Sequence, residues 1–139
     1  IKFIKRKGST FDYSGLESLT GKSIGVVREY GYGDEFLSAN NFKRPETKDF
    51  IGNIRKLIAG RIDLTLEDEI VARATIAKES PELLNKIEFT KTDYSTNALY
   101  VTSGLANAKH KELIEAFNKG LANIKQNGEY DKILQSLSQ

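Results

Sequence analysis

Three acidic residues, Glu67, Asp68 and Glu69, close the segment Gly60-Arg61-Ile62-Asp63-Leu64-Thr65-Leu66, and their place in it is what could give them chemistry. The segment reads as a helix stop at Gly60, a turn, a short buried strand, and acids where that strand ends and another helix begins. In open α/β sheets ligands bind in the crevice outside the carboxyl ends of strands. A second position of the same kind follows Ser23-Ile24-Gly25-Val26-Val27, where Arg28-Glu29-Tyr30-Gly31-Tyr32-Gly33-Asp34 turns into a helix. Two such strand ends can face one pocket, and their polar groups suit a small polar ligand.

Other chemistries fit these residues poorly. Gly31-Tyr32-Gly33 after a strand resembles the start of a dinucleotide fingerprint, but its sixth position is Phe36 rather than glycine. Asp63 begins its strand and Asp68 lies beyond its end, about 17 Å apart at the usual rise, too far to share a metal ion. Asp63 is expected to bond turn amides after Gly60. The single histidine, His110, sits between Lys109 and Lys111 at a helix start with no paired serine or carboxylate, so no catalytic residue is assigned. With no cysteine in the chain, disulfides, thiolate metal sites and cysteine nucleophiles are excluded.

The elements that must position these groups follow from periodicity. A charged and apolar alternation predicts a strand over residues 1–5, and Lys2, Lys5, Arg6 and Lys7 read as a sheet edge blunted by charge. Residues 24–27 and 62–66 are apolar runs too short for helices, hence buried strands. Pro45 makes 42–46 a weak edge strand. Phe50, Ile51, Ile54, Leu57 and Ile58 recur at helical spacing, with Thr47 as the expected cap. Helices are expected over 34–39, 68–78 and 108–126, with a last one carrying Tyr130, Ile133, Leu134 and Leu137. Strands are expected over 87–90 and 98–101. Tyr94, Ser95, Thr96 and Asn97 lie between these two strands, as a plain turn or as ligand contacts. Strand and helix alternate through residue 90, which indicates a mostly parallel sheet with right-handed crossovers.

The 139 residues suffice for one core or two small lobes, and a net charge of +2 with interspersed signs gives no field to gather nucleic acid. No run approaches a membrane span. The chain opens at Ile1 in mid-strand, as a processed or cut piece would, so the missing signal peptide carries no information on location.

Taken in order, Leu19-Thr20-Gly21-Lys22-Ser23-Ile24-Gly25-Val26-Val27, Leu57-Ile58-Ala59-Gly60-Arg61-Ile62-Asp63, Glu67-Asp68-Glu69, Leu113-Ile114-Glu115-Ala116-Phe117-Asn118 and Asn127-Gly128-Glu129-Tyr130-Asp131-Lys132-Ile133 resemble the family 3 extracellular solute-binding proteins. These are the polar amino-acid receptors of ABC uptake systems. The resemblance implies a periplasmic-binding-protein-like (type II) α/β lobe, the second of two that close on ligand like a clam. Residues 1–104 would be that lobe with its hinge strands, and residues 105–139 a helical pair packing on a first lobe that is largely absent.

The resemblance also implies roles. Asp68 matches the family carboxylate for the ligand α-ammonium, which in a desolvated site needs an ionised acceptor in a fixed place. A plainer role for it is a helix N-terminal acid interacting with the dipole. Tyr30, Gly31, Tyr32 and Gly33 match the loop that grips the ligand carboxylate through backbone N–H groups. Many relatives carry Gly-Ser or Gly-Thr-Thr there, so the two tyrosines are a departure. Each ring either stacks on the ligand or packs on the lobe. The implied function is periplasmic or extracellular capture of an amino-acid-like solute, from a precursor with a signal peptide, for delivery to an ABC permease. No cofactor or metal is implied. A sensory input domain and a dehydratase-type enzyme are alternatives on the same fold. The stripe Leu113, Ile114, Phe117, Leu121 and Ile124, meant for the absent lobe, would favour self-association of this chain alone.

Overall fold

The computed structural model describes residues 1–96 and 98–137, in two compact units, 1–96 and 97–139. The first contains a five-stranded sheet. Its strands are β1 (Lys2–Arg6), β2 (Ile24–Val27), β3 (Glu46–Thr47), β4 (Leu64–Glu67) and β5 (Ile87–Asp93), in the order β3-β2-β4-β1-β5. β2 pairs in parallel with β3 and β4, whereas β1 is antiparallel to both β4 and β5. Four strands therefore run one way, and β1 alone is reversed between β4 and β5. Parallel pairing needs crossovers, which α1 (Asp34–Ser38), α2 (Phe50–Ile58) and α3 (Glu69–Glu79) supply.

The reversed strand corrects the reading of residues 1–5 as a sheet edge. β1 is interior, and its cations are engaged: Lys2 Nζ lies 3.0 Å from Glu69 and 3.7 Å from Asp93. Arg6 Nη1 donates to the carbonyls of Leu57 and Ile62, and Lys5 Nζ to that of Phe11. The long aliphatic stems of these side chains let a strand lie inside a sheet while the charged heads reach partners at the margin.

Apolar residues cover both faces. Ile4, Val27, Phe50, Ile51, Ile54, Leu57, Ile62, Ala72 and Ile76 pack under α2 and α3. Phe3, Leu19, Ile24, Val26, Phe36, Phe42, Leu64 and Leu66 pack on the other face, with the turn Leu16–Leu19 and α1. The helical spacing of Phe50, Ile51, Ile54 and Leu57 is realised as a buried face of α2. The cap of α2 is Asp49 rather than Thr47. Asp49 Oδ1 accepts the Gly52 amide at 2.7 Å, while Thr47 Oγ1 donates to the Asp49 and Val26 carbonyls and so ties the cap to the sheet. Asp63 also differs from expectation: its Oδ2 accepts the Ser23 amide at 2.8 Å, joining the starts of β2 and β4.

The second unit comprises α4 (His110–Gln126) and α5 (Glu129–Ser136), preceded by an irregular segment. The strand expected over 98–101 does not form; Leu99 and Tyr100 are 95% and 82% exposed. Their side chains favour extended backbone, but a strand is stable only with a neighbour for its N–H and C=O groups. Asn97 lies outside the described residues.

Candidate functional site

Because four strands share a direction, their carboxyl ends gather along one margin of the sheet. Val27, Thr47, Glu67 and Asp93 end there, and β1 begins there, with Lys2 opposite both Glu67 and Asp93. The register of β2 on β4 pairs Ile24 with Leu64 and Gly25 with Thr65. The two strands are adjacent and end at Val27 and Glu67, followed by Arg28 and Asp68. The two segments singled out in the sequence are thus neighbours.

Asp68 caps α3, its Oδ1 accepting the amides of Ile70 at 2.9 Å and Val71 at 3.1 Å. The plainer role is therefore real. Both bonds fall on one oxygen, and Oδ2 makes no hydrogen bond among the described residues. The cap fixes the carboxylate and leaves half of it for another partner. Glu67 is bound by its neighbour: its Oε1 accepts the Asp68 amide at 2.9 Å. Burial pushes the Glu67 carboxyl above its ordinary range, against the pull of that amide. Glu69 is turned aside to Lys2 and Arg73. Burial opposes its charge, but the two cations outweigh burial and hold its carboxyl below the usual range.

The loop after β2 separates its two tyrosines. Tyr30 is half-exposed, whereas Tyr32 is buried and its hydroxyl accepts the Val27 amide at 2.8 Å. The ring of Tyr32 packs on Phe36, with centroids 5.7 Å apart. Of the two outcomes considered for each ring, packing on the lobe is the one realised at Tyr32. Burial pushes its hydroxyl up to about 12. Glu29 occupies the left-handed region at φ 66°, unusual for a side-chain-bearing residue, and turns the chain toward Tyr30. The amides of Gly31, Tyr32 and Gly33 find no acceptor among the described residues. Gly33 caps α1 at φ 85°. That helix is only five residues long and brings little dipole, so anion attraction here rests on the free N–H groups themselves.

A cleft of about 260 Å³ opens beside this margin, lined by Val27, Arg28, Tyr30, Lys48, Glu67 and Val71 among others. Of the strand-end acids and loop residues picked from the sequence, Glu67 and Tyr30 line it, whereas Asp68, Gly31, Tyr32 and Gly33 do not. Its volume falls short of the about 300–1,000 Å³ usual for a pocket enclosing a drug-sized ligand. The sequence marks Glu67 and Arg28 as strand-end residues; that their two strands are adjacent comes from the sheet pairing. No group of three or more metal-ligating side chains occurs among the described residues.

Comparison with known proteins gives a consistent result. The family model for bacterial extracellular solute-binding proteins, family 3, matches residues 38–137. The lysine/arginine/ornithine-binding periplasmic protein of Escherichia coli K12 is 30% identical, over 95% of this chain and 52% of its own length. An ancestral arginine-binding protein bound to arginine superposes with a TM-score of 0.71 at 25% identity, covering 98% of this chain and 58% of that one. Domain 2 of TmArgBP, from T. maritima, matches over 98% of its length and 68% of this chain, with a TM-score of 0.53 and 26% identity. The chain spans about half the length of the full-length relatives it matches.

Proposed function

Because this chain belongs to family 3 of the bacterial extracellular solute-binding proteins, we propose that it forms one gripping lobe of a receptor for a basic amino acid, working outside the cytoplasmic membrane and serving an ABC permease. The observation that carries the reading is that the adjacent parallel strands β2 and β4 are followed, respectively, by the loop with the unbonded amides of Gly31, Tyr32 and Gly33 and by Asp68 with its free Oδ2. A zwitterion needs such a pair: a carboxylate for its ammonium and N–H donors for its carboxylate. Glu67 adds a second acid beside Asp68, and a cationic ligand favours its ionised form. The half-exposed ring of Tyr30 offers a face to the ligand. The choice of a basic side chain rests on the lysine, arginine and ornithine named for one relative and the arginine named for another.

In this reading ligand bridges two lobes and shifts an open–closed equilibrium, and no bond is made or broken. Residues 1–104 act as the second lobe, with β1 as its hinge strand, and residues 105–139 as helices given to the first lobe. The match of domain 2 of TmArgBP, over 98% of its length, to 68% of the chain supports reading the larger part of the chain as a separate lobe. So do α4 and α5, which contain no buried residue and expose Leu113, Phe117 and Ile133. Without a first lobe that apolar face favours self-association, and light scattering at micromolar concentration checks it: a clean monomer contradicts it.

The function is tested by a thermal-shift screen of the natural-length protein against amino acids, polyamines and small acids. Arginine, lysine and ornithine are expected to stabilise it most. Stabilisation by acids alone contradicts the assignment.

A further inference from the structure

Tyr94 stands where three parts of the lobe meet. It follows β5 directly, two residues before the first unit ends at Thr96. Its amide donates to the Ile1 carbonyl at 2.9 Å, extending the pairing of β5 with the start of β1. Its ring contacts Phe3, Tyr13 and Phe36, with centroids 5.7, 5.8 and 5.7 Å away, so its direction is set from three sides. Its hydroxyl donates to the Tyr32 carbonyl at 2.9 Å.

That acceptor gives the contact its consequence. The Tyr32 carbonyl and the Gly33 N–H belong to one planar trans peptide, so whatever holds the C=O also aims the N–H, in the opposite direction. A hydrogen bond to the C=O also polarises the amide and strengthens its N–H as a donor. Gly33 needs such a constraint: at φ 85° and without a side chain, it has wide conformational freedom. A Cβ there would lie 3.7 Å from the Tyr94 hydroxyl, so loop and tyrosine are in close contact.

We propose that Tyr94 is a positioning residue for ligand binding: it aims the Gly33 amide at the ligand carboxylate and ties that aim to the segment leaving β5. The ligand-binding part of this inference rests on the function proposed above. Tyr13 supplies the contrast, because it shares the aromatic cluster while its hydroxyl makes no hydrogen bond among the described residues.

The test uses the natural-length protein as wild type, Tyr94→Phe and Tyr13→Phe, with L-arginine as the probe. Tyr94→Phe keeps every ring contact and is expected to weaken arginine about fivefold by calorimetry, the worth of one hydrogen bond. Tyr13→Phe is expected to bind as wild type does. In ligand-free protein, the amide proton and nitrogen chemical shifts of Gly33 are expected to move in Tyr94→Phe and to stay in place in Tyr13→Phe. A merely structural tyrosine would lower the unfolding temperature without moving affinity or the Gly33 amide shifts. Wild-type affinity in Tyr94→Phe, or unchanged Gly33 amide shifts, overturns the proposal. If wild type itself ignores arginine, the functional reading fails, and the Gly33 amide shifts still decide whether Tyr94 holds the loop.

Discussion

The Tyr32 hydroxyl accepts the Val27 amide at 2.8 Å, so a side chain of the binding loop completes the hydrogen bonding at the end of β2. Tyr32→Phe leaves that N–H buried and unpaired and is expected to cost about 1–3 kcal/mol in urea denaturation. The effect depends on pH. Burial raises the folded-state pKa to about 12, above the unfolded value of about 10. The stability linked to this group is full below the unfolded value and lost as pH rises through the folded one. Wild type is therefore expected to lose more stability between about pH 10 and 12 than Tyr32→Phe; equal losses contradict the assignment.

Asp68→Asn separates cap from ligand. Asparagine caps a helix about as well as aspartate, so α3 is expected to hold. Affinity for an ammonium ligand is expected to fall by roughly 2–4 kcal/mol in the natural-length protein, as when a buried charge pair is truncated. Unchanged calorimetric affinity removes Asp68 from the site.

Glu67 and Glu69, two positions apart, are expected to respond oppositely to acid. Burial raises the Glu67 carboxyl, so its linked stability is full below the unfolded pKa and lost as pH climbs through the higher folded value. Glu67→Gln is thus expected to raise the denaturation midpoint at pH 7 and to lose that advantage below about pH 4. For Glu69, burial is outweighed by Arg73 and Lys2, and the carboxyl sits low. Its linked stability is present above the unfolded pKa and lost as pH falls through the folded one. Glu69→Gln is expected to lower the midpoint at pH 7, the gap closing in acid. Midpoints measured across pH 3–8 check both signs.

Gly25 is required by close approach. A Cβ there would meet Ile62 Cδ1 at 2.5 Å and Asn53 Oδ1 at 2.6 Å. Asn53 is fully buried in α2, and its side-chain amide has no partner among the described residues. Gly25→Ala is expected to cost about 1–3 kcal/mol by overpacking. Adding Asn53→Ala should recover part of that loss, whereas strict additivity in the double mutant would contradict the contact.

The sequence made visible what is periodic or local. The buried face of α2 follows from the spacing of Phe50, Ile51, Ile54 and Leu57, and Asp68 was marked by its place after an apolar run. What depends on partners was hidden. Alternation in Ile1-Lys2-Phe3-Ile4-Lys5 tells which side chains share a face, not that β1 lies reversed between two strands. A turn has no period, so nothing marked Tyr32 rather than Tyr30 as the buried ring. The bond from Tyr94 to the Tyr32 carbonyl spans 62 residues and exists only once the sheet has formed. Residues 98–101 have strand-like side chains, but a ladder needs a neighbour that local composition cannot supply.

If this chain supplies one half of an amino-acid site, as proposed, L-arginine will distinguish the natural-length protein from residues 1–139 alone in calorimetric titration. Micromolar or tighter binding is expected of the natural-length protein, about −8 kcal/mol or more favourable, and millimolar or weaker binding of residues 1–139, about −4 kcal/mol or less favourable. Micromolar binding by a monomer of residues 1–139, or none by the natural-length protein, would contradict that proposal.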